Sequence, residues 1–184
     1  MISSHRTLLA AALLGTLAAL PAWAQSGTGL RAGQFYVGGS VGLPDWRTDH
    51  IGSVRAANDS GTGLKVHGGY AFSPNVALEL GAVHLGKLSG AGGEAKADGV
   101  FVDAVGLWPV TPEWTLLGRL GVVNTKVRGP QDSDRGTGAK LGLGVQYNLN
   151  ATTSIRGEWE RYSVDAFGDK PRPDLYSVGI NYAF

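Results

Sequence analysis

The sequence predicts an all-β protein, an eight-stranded antiparallel up-and-down transmembrane β-barrel, and three observations predict it. Eight segments alternate apolar and polar residues with a period of two. The connections between these segments alternate between short and long. After residue 24, no apolar stretch approaches the roughly 20 residues that a membrane helix needs, and 29 glycines are poorly suited to helices.

The last segment, residues 174–184, shows the alternation most clearly. One face carries Tyr176, Val178, Ile180, Tyr182 and Phe184, and small or polar residues lie between them. A helix of this sequence would scatter its apolar residues around the axis, whereas a strand gathers them on one face. The segment is therefore predicted to be a strand with one apolar face.

Seven further segments have the same period and are predicted to be strands: 35–43, 63–72, 76–85, 99–108, 114–124, 137–148 and 154–162. Each is close to the 9–11 residues that a tilted membrane strand needs. The fourth and fifth strands are the least regular. In the predicted register of the fourth strand, Val100 and Val102 face outward, so Phe101, Val105 and Leu107 face inward. In that of the fifth strand, Trp114 and Leu116 face outward, so Arg119 faces inward.

The connections follow a pattern typical of outer-membrane barrels. Residues 73–75, 110–113 and 149–153 form short turns rich in Pro, Asn and Thr, and residues 44–62, 86–98, 125–136 and 165–173 form longer, polar loops. Barrels of this class have short periplasmic turns and long extracellular loops. A soluble barrel would need an apolar interior, but the inward faces here are small and charged. We expect four extracellular loops.

The N-terminus indicates a secreted protein. Arg6 precedes an apolar run from Leu8 to Leu20, and Ala22 and Ala24 place small residues two apart before Gln25. This arrangement predicts a signal peptide over residues 1–24. A short lead-in at 25–33 and the barrel at 34–184 then complete the predicted organisation, in the outer membrane of a Gram-negative bacterium.

Charge and cysteine content exclude several classes of partner and site. Without Arg6, the remaining chain has 15 basic and 15 acidic residues, so no basic excess suggests nucleic acid. The chain has no cysteine, which excludes a disulfide framework and a cysteine-based zinc site.

The inward faces carry a set of charges that is the candidate functional site. By the predicted alternation, seven charged side chains share the lumen: Lys65, Glu79, Arg119, Lys140, Arg156, Glu158 and Glu160. An eight-stranded interior is just wide enough for side chains to fill. The cluster is interpreted as a plug of paired charges, and the alternative is a narrow or intermittently open ion path.

No catalytic, cofactor or metal site is predicted. After residue 24 the histidines are His50 in a long loop, His67 facing the lumen and His84 on the outward face. None has a sequence context that suggests a nucleophile and its base. The protein is therefore expected not to be an enzyme, and a lipid-modifying barrel enzyme is the less favoured alternative.

Several stretches resemble the OmpA-like transmembrane barrel family across nearly all of the predicted barrel. They are residues 68–81, 119–121, 142–148, 155–162 and 177–184. The resemblance implies an interior of crossed charges in which Glu79, Arg119, Arg156 and Glu158 match family positions. A further basic position of the family is Val105 here and an acidic one is Gln146, which implies a thinner network.

The resemblance also implies partners. The ending with Ile180, Tyr182 and Phe184 resembles the signal that the barrel-assembly machinery reads. Outer-membrane lipid and lipopolysaccharide would surround the barrel, and the loops would meet an unknown extracellular ligand. The expected function is structural or surface-interacting, with a narrow pore for ions or small solutes as the alternative.

Overall fold

The structure, a computed structural model, describes most of the predicted barrel. The described residues are 29–45, 50–51, 54–59, 61–91, 93–128, 133–163 and 172–184. The predicted signal peptide, the first four residues of the lead-in and most of the last predicted loop lie outside them.

The described residues form strands joined by turns. The strands are β1 (Gln34–Asp45), β2 (His50–Ile51), β3 (Val54–Asp59), β4 (Gly63–Ser73), β5 (Val76–Ala91), β6 (Gly93–Pro109), β7 (Trp114–Arg128), β8 (Ser133–Asn148), β9 (Thr153–Tyr162) and β10 (Asp174–Ala183). No helix among the described residues is long and apolar enough to cross a membrane.

Eight of these strands close into an antiparallel barrel, which confirms the predicted fold. Consecutive long strands pair with each other, and β1 pairs with β10 from Tyr36 opposite Ala183 to Asp45 opposite Asp174. The two short strands extend this barrel at one end, where β3 pairs with β5 and β2 pairs with β3. Closure leaves no open edge in the membrane region, where an unpaired backbone group would be costly.

The predicted alternation of faces is confirmed in every long strand. The outward Leu120 and Val178 are 67% and 60% exposed, and the inward Glu79 is fully buried. The registers of β6 and β7 also agree with the prediction, since Phe101, Val105, Leu107 and Arg119 are buried while their neighbours are exposed. An apolar outer surface of this extent requires lipid around it.

Two predicted loops are shorter than expected. Residues 86–98 and 125–136 were predicted to be loops, but β5 continues to Ala91, β6 begins at Gly93, β7 continues to Arg128 and β8 begins at Ser133. The predicted loop 44–62 likewise contains β2 and β3. Beyond the lipid-facing belt, ladder pairing does not depend on an apolar face, so polar Gly-rich composition is a poor guide to where a strand ends.

The short turns at the opposite end are closed by their own side chains. Asn75 donates its backbone N–H to Ser73 Oγ (3.2 Å) and its side-chain amide to the Leu107 carbonyl (3.0 Å). In the third turn, Asn150 Oδ1 accepts the backbone N–H groups of Thr152 (2.9 Å) and Thr153 (2.8 Å). The Asn150 contacts are of the Asx type and the Ser73 contact is its serine counterpart, which is why Asn and Ser favour turns.

Candidate functional site: the charge network of the barrel lumen

Among the residues whose side chains the structure describes, the strand alternation brings eight charged ones into the lumen, buried and in mutual contact. Seven are the predicted residues, and the eighth is Asp103 on β6, which the sequence interpretation missed. Asp103 lies two residues from both Phe101 and Val105 and so faces the same side of the strand. The register predicted for β6 was therefore sufficient to find it. The set contains four cations and four carboxylates: Lys65, Arg119, Lys140 and Arg156 with Glu79, Asp103, Glu158 and Glu160.

Arg119 on β7 is the centre of this network. Its Nη1 donates to Glu79 Oε2 and to Asp103 Oδ2, each at 2.9 Å. Its Nη2 donates to Glu158, and Nη1 lies 3.3 Å from Glu160 Oε1. One guanidinium therefore contacts four carboxylates from β5, β6 and β9, a use for which its fork of five donors is suited.

The lysines occupy the half of the network nearer the long connections. Lys140 Nζ lies 2.7 Å from Asp103 Oδ2, 2.9 Å from Glu160 Oε1 and 3.6 Å from the centroid of the Phe101 ring. Lys65 Nζ contacts Glu158 and lies 3.0 Å from Glu160 Oε2. The Tyr162 hydroxyl donates to Glu160 Oε2 at 3.1 Å. Each ammonium thus bridges two carboxylates, which compensates for its removal from water.

Arg156 and Tyr36 complete the half nearer the short turns. Arg156 Nη1 donates to Glu79 Oε1 (2.7 Å), and its Nε and Nη2 donate to Gln146 Oε1 (3.1 and 2.9 Å). The Tyr36 hydroxyl donates to the same Glu79 oxygen (2.8 Å). Glu79 therefore receives hydrogen bonds from three side chains.

The two positions behind the predicted thinning have other contacts in this barrel. Gln146, at the position where the resemblance implies an acid, accepts two hydrogen bonds from Arg156. Val105, at the position where it implies a base, lies in an apolar cluster. Asp103 supplies an acid, and the charges balance without a further base.

Apolar residues cover the charged layer on both sides. Toward the short turns lies a cluster of buried residues against which Leu30 of the lead-in packs: Tyr36, Ala71, Ala77, Val105, Leu107, Leu117 and Ala183. Toward the long connections lie other buried residues: Val83, Leu85, Ala97, Phe101, Val123, Tyr162 and Leu175. The ion pairs are therefore held between apolar layers, where screening by water is weak.

Inward glycines provide the space that these large side chains occupy. A Cβ on Gly69 would lie 2.6 Å from Tyr36 Cε1, and one on Gly121 would lie 2.8 Å from Asp103 Cα. Both distances are shorter than real contacts allow. Each glycine lies directly opposite the residue concerned on the neighbouring strand, Gly69 opposite Tyr36 and Gly121 opposite Asp103. Glycine leaves room there for the larger side chain to lie over the adjacent strand, which explains part of the high glycine content.

The two histidines whose side chains the structure describes, His67 and His84, each contact a polar side chain. His67 faces the lumen and contacts Asn181, with Nε2 2.9 Å from Oδ1. His84 lies on the outer face, with Nδ1 2.6 Å from Asp98 Oδ1. His50 lies in β2, and nothing is described of its side chain. Among the described residues, no group of three or more His, Asp or Glu is arranged to hold a metal ion.

Comparison with protein families identifies the class. The family model of the outer membrane protein beta-barrel domain matches residues 9–184. The chain belongs to this family. An outer membrane barrel of this family lies in the outer membrane of Gram-negative bacteria, and the exposed apolar belt described above is the surface that lipid covers.

Individual relatives agree with this assignment. The chain is 28% identical over 168 residues to outer membrane protein A of Shigella flexneri, a match that covers 82% of this chain and 48% of the relative. The chain therefore spans about half the length of the curated relatives it matches.

Solved barrels share the fold at low sequence identity. Neisserial surface protein A has a TM-score of 0.62 at 16% identity, with 82% of this chain and 97% of that chain covered. OprG of Pseudomonas aeruginosa has a TM-score of 0.58 at 18% identity, with 85% and 98% covered. These similarities show the barrel fold of this outer membrane protein.

Proposed function

We propose that this protein is a closed barrel with a structural and surface-interaction role, which anchors four extracellular loops in the outer membrane. The observation that carries the proposal is the filled lumen. Eight charges neutralise each other there, and each is at most 7% exposed. A barrel of this size has room for side chains or for a water path, but not for both in the same layer.

Conduction through this layer would require buried ion pairs to separate. Arg119 alone would have to leave contacts with four carboxylates, and Lys140 would have to leave Asp103 and Glu160. Leaving one buried charge without its partner costs about 3–5 kcal/mol. The closed arrangement is therefore strongly favoured, which supports an anchoring role over a pore.

The distribution of connections supports the orientation that we propose. The three short turns lie at one end with the start of β1 and the end of β10, and the longer connections lie at the other. In bacterial barrels the short turns face the periplasm and the long loops face the exterior. The partner of the loops would then be extracellular, as scaffold-borne loops are where binding concentrates.

Cysteine labelling of intact cells tests this orientation, and the absence of native cysteine makes the experiment clean. The exposed Ala151 and Ser163 flank the two ends of β9. We expect a membrane-impermeant maleimide to label Ser163→Cys in intact cells and to label Ala151→Cys only after the outer membrane is permeabilised. The reverse pattern would overturn the proposed orientation.

The C-terminal residues are proposed to be the signal for the barrel-assembly machinery. Ile180, Tyr182 and Phe184 lie outward on β10 and just beyond it, and each is more than half exposed. The backbone N–H of Phe184 donates to the Phe35 carbonyl at 3.0 Å, so the signal lies at the seam where the barrel closes. A narrow pore is the alternative function, which conductance tests, and a lipid-modifying enzyme is the third, which lipid A mass analysis after gene loss tests.

A further inference from the structure

The outer wall of the barrel has a charged row at the end of the long connections. Cross-strand register aligns one outward residue from each of five neighbouring strands, β4 to β8: Leu64, His84, Asp98, Lys126 and Arg135. The pairings are direct, with Lys126 between Asp98 and Arg135. Residues directly opposite in a sheet have Cβ atoms about 5 Å apart, so this row is one continuous surface feature.

The rows on either side differ sharply in character. Toward the short turns lies a row with Val66, Ala82 and Val100, in which Asn124 donates to Thr137 at 3.0 Å. The row after that is uncharged throughout: Gly68, Leu80, Val102, Val122 and Ala139. In the opposite direction, the backbone register places Lys87 opposite Lys96 and Lys96 opposite Arg128.

A shallow groove of about 540 Å³ lies on this wall, and we call it the cationic groove. Its apolar part is formed by Leu64, Val66, Ala82 and Val100, and its charged part by His84, Asp98, Lys126 and Arg135. Asp98 is paired with His84 at 2.6 Å. Lys126 is half-buried and forms no ion pair with any residue that the structure describes.

We propose that the cationic groove binds a phosphorylated glycolipid of the outer leaflet, the lipid A part of lipopolysaccharide. Lys126 and Arg135 contact its phosphate groups, and its acyl chains lie on Leu64, Val66, Ala82 and Val100. The proposal rests on the orientation proposed above, in which this end of the barrel faces outward.

The chemistry of the groove favours this occupant over others. A ligand that fills it needs anionic groups at the level of Lys126 and hydrocarbon directly below, on a wall continuous with the lipid belt. A soluble anion would use only the charged part, and an acidic protein would leave apolar residues facing lipid. A lipid with phosphates and several acyl chains matches both parts, and basic residues at a membrane surface each strengthen anionic lipid binding.

Binding of lipid A in defined bilayers tests the proposal. The folded barrel is placed in phosphatidylcholine nanodiscs, and bound lipid A is measured by native mass spectrometry for the bisphosphorylated and the dephosphorylated forms. The test variant is Lys126→Gln/Arg135→Gln. The control is Arg31→Gln/Arg172→Gln, which removes the same charge from exposed residues at the turn end and on the opposite wall.

We expect bisphosphorylated lipid A to bind the test variant about fivefold more weakly for each cation removed. The control variant should bind like the wild type, and dephosphorylated lipid A should bind all three proteins equally weakly. Equal binding of the two lipid forms to the wild type would overturn the proposal, and so would an equal loss in the control. Both leaflets carry lipid A in this assay, so its result is independent of the orientation that cysteine labelling tests.

Discussion

Replacing Arg119 by Met tests the charge network at its centre. The methionine chain fills similar volume without a charge, so packing changes little while four carboxylates lose a partner. The lumen would then hold three cations and four carboxylates. Glu79 keeps Arg156, Asp103 keeps Lys140, and Glu158 and Glu160 keep Lys65, so one uncompensated charge remains and not four.

One uncompensated buried charge sets the expected magnitude. We expect Arg119→Met to lower the free energy of unfolding by about 3–5 kcal/mol. Arg119→Met/Glu158→Gln restores the balance of charge and should recover a substantial part of that loss. The exposed Arg31→Gln is the control and should stay within about 0.5 kcal/mol of the wild type.

Equilibrium urea unfolding in phospholipid vesicles, followed by tryptophan fluorescence, measures these differences. Trp108, Trp114 and Trp159 lie in β6, β7 and β9 with outward-facing side chains, so their fluorescence reports loss of the lipid contact. If Arg119→Met were as stable as Arg31→Gln, the network would contribute nothing and the reasoning would be wrong. If the double variant were less stable than the single one by a further 3–5 kcal/mol or so, charge balance would not be the cause.

Three further perturbations test individual features. Gly69→Ala should cost about 1–3 kcal/mol because the new methyl group meets the Tyr36 ring, whereas Gly68→Ala, whose nearest atom is 3.9 Å away, should be nearly neutral in the same urea assay. Tyr36→Phe removes the 2.8 Å hydrogen bond to Glu79 and should lower the free energy of unfolding by about 1 kcal/mol. The outward Tyr70→Phe should lower it less, and equal losses would mean that the hydrogen bond does not stabilise the barrel. Phe184→Ala should reduce the amount of folded barrel in cells while refolding in vesicles is unchanged, and equal defects in both would contradict an assembly signal.

The sequence predicted the barrel well because one property, the two-residue period, determines both which segments are strands and which of their residues face the lumen. The 174–184 segment and the inward position of Arg119 both follow from it. The ends of β5 to β8 did not follow, since beyond the lipid belt the ladder continues through residues without apolar alternation.

The site was predictable as a set of residues but not as a set of contacts. The alternation of inward and outward residues is enough to place Glu79 and Arg119 in the lumen. They are 40 residues apart in sequence, however, so only the tilt and stagger of the closed barrel bring them into contact. Asp103 was missing from the predicted set because the other inward residues of its strand, Phe101, Val105 and Leu107, are apolar and give no sign of a charged layer. The row that joins Asp98, Lys126 and Arg135 needs the register of three strands, which a period of two leaves undetermined.

Single-channel conductance in a planar bilayer tests the central claim, that ion pairs close the lumen. The chain without its predicted signal peptide should insert as a folded barrel and give no discrete openings. Arg156→Ala, which leaves Glu79 with one fewer cation, should lower thermal stability or open a leak. Discrete, reproducible openings of the wild type under the same conditions would contradict a closed lumen and make the protein a pore.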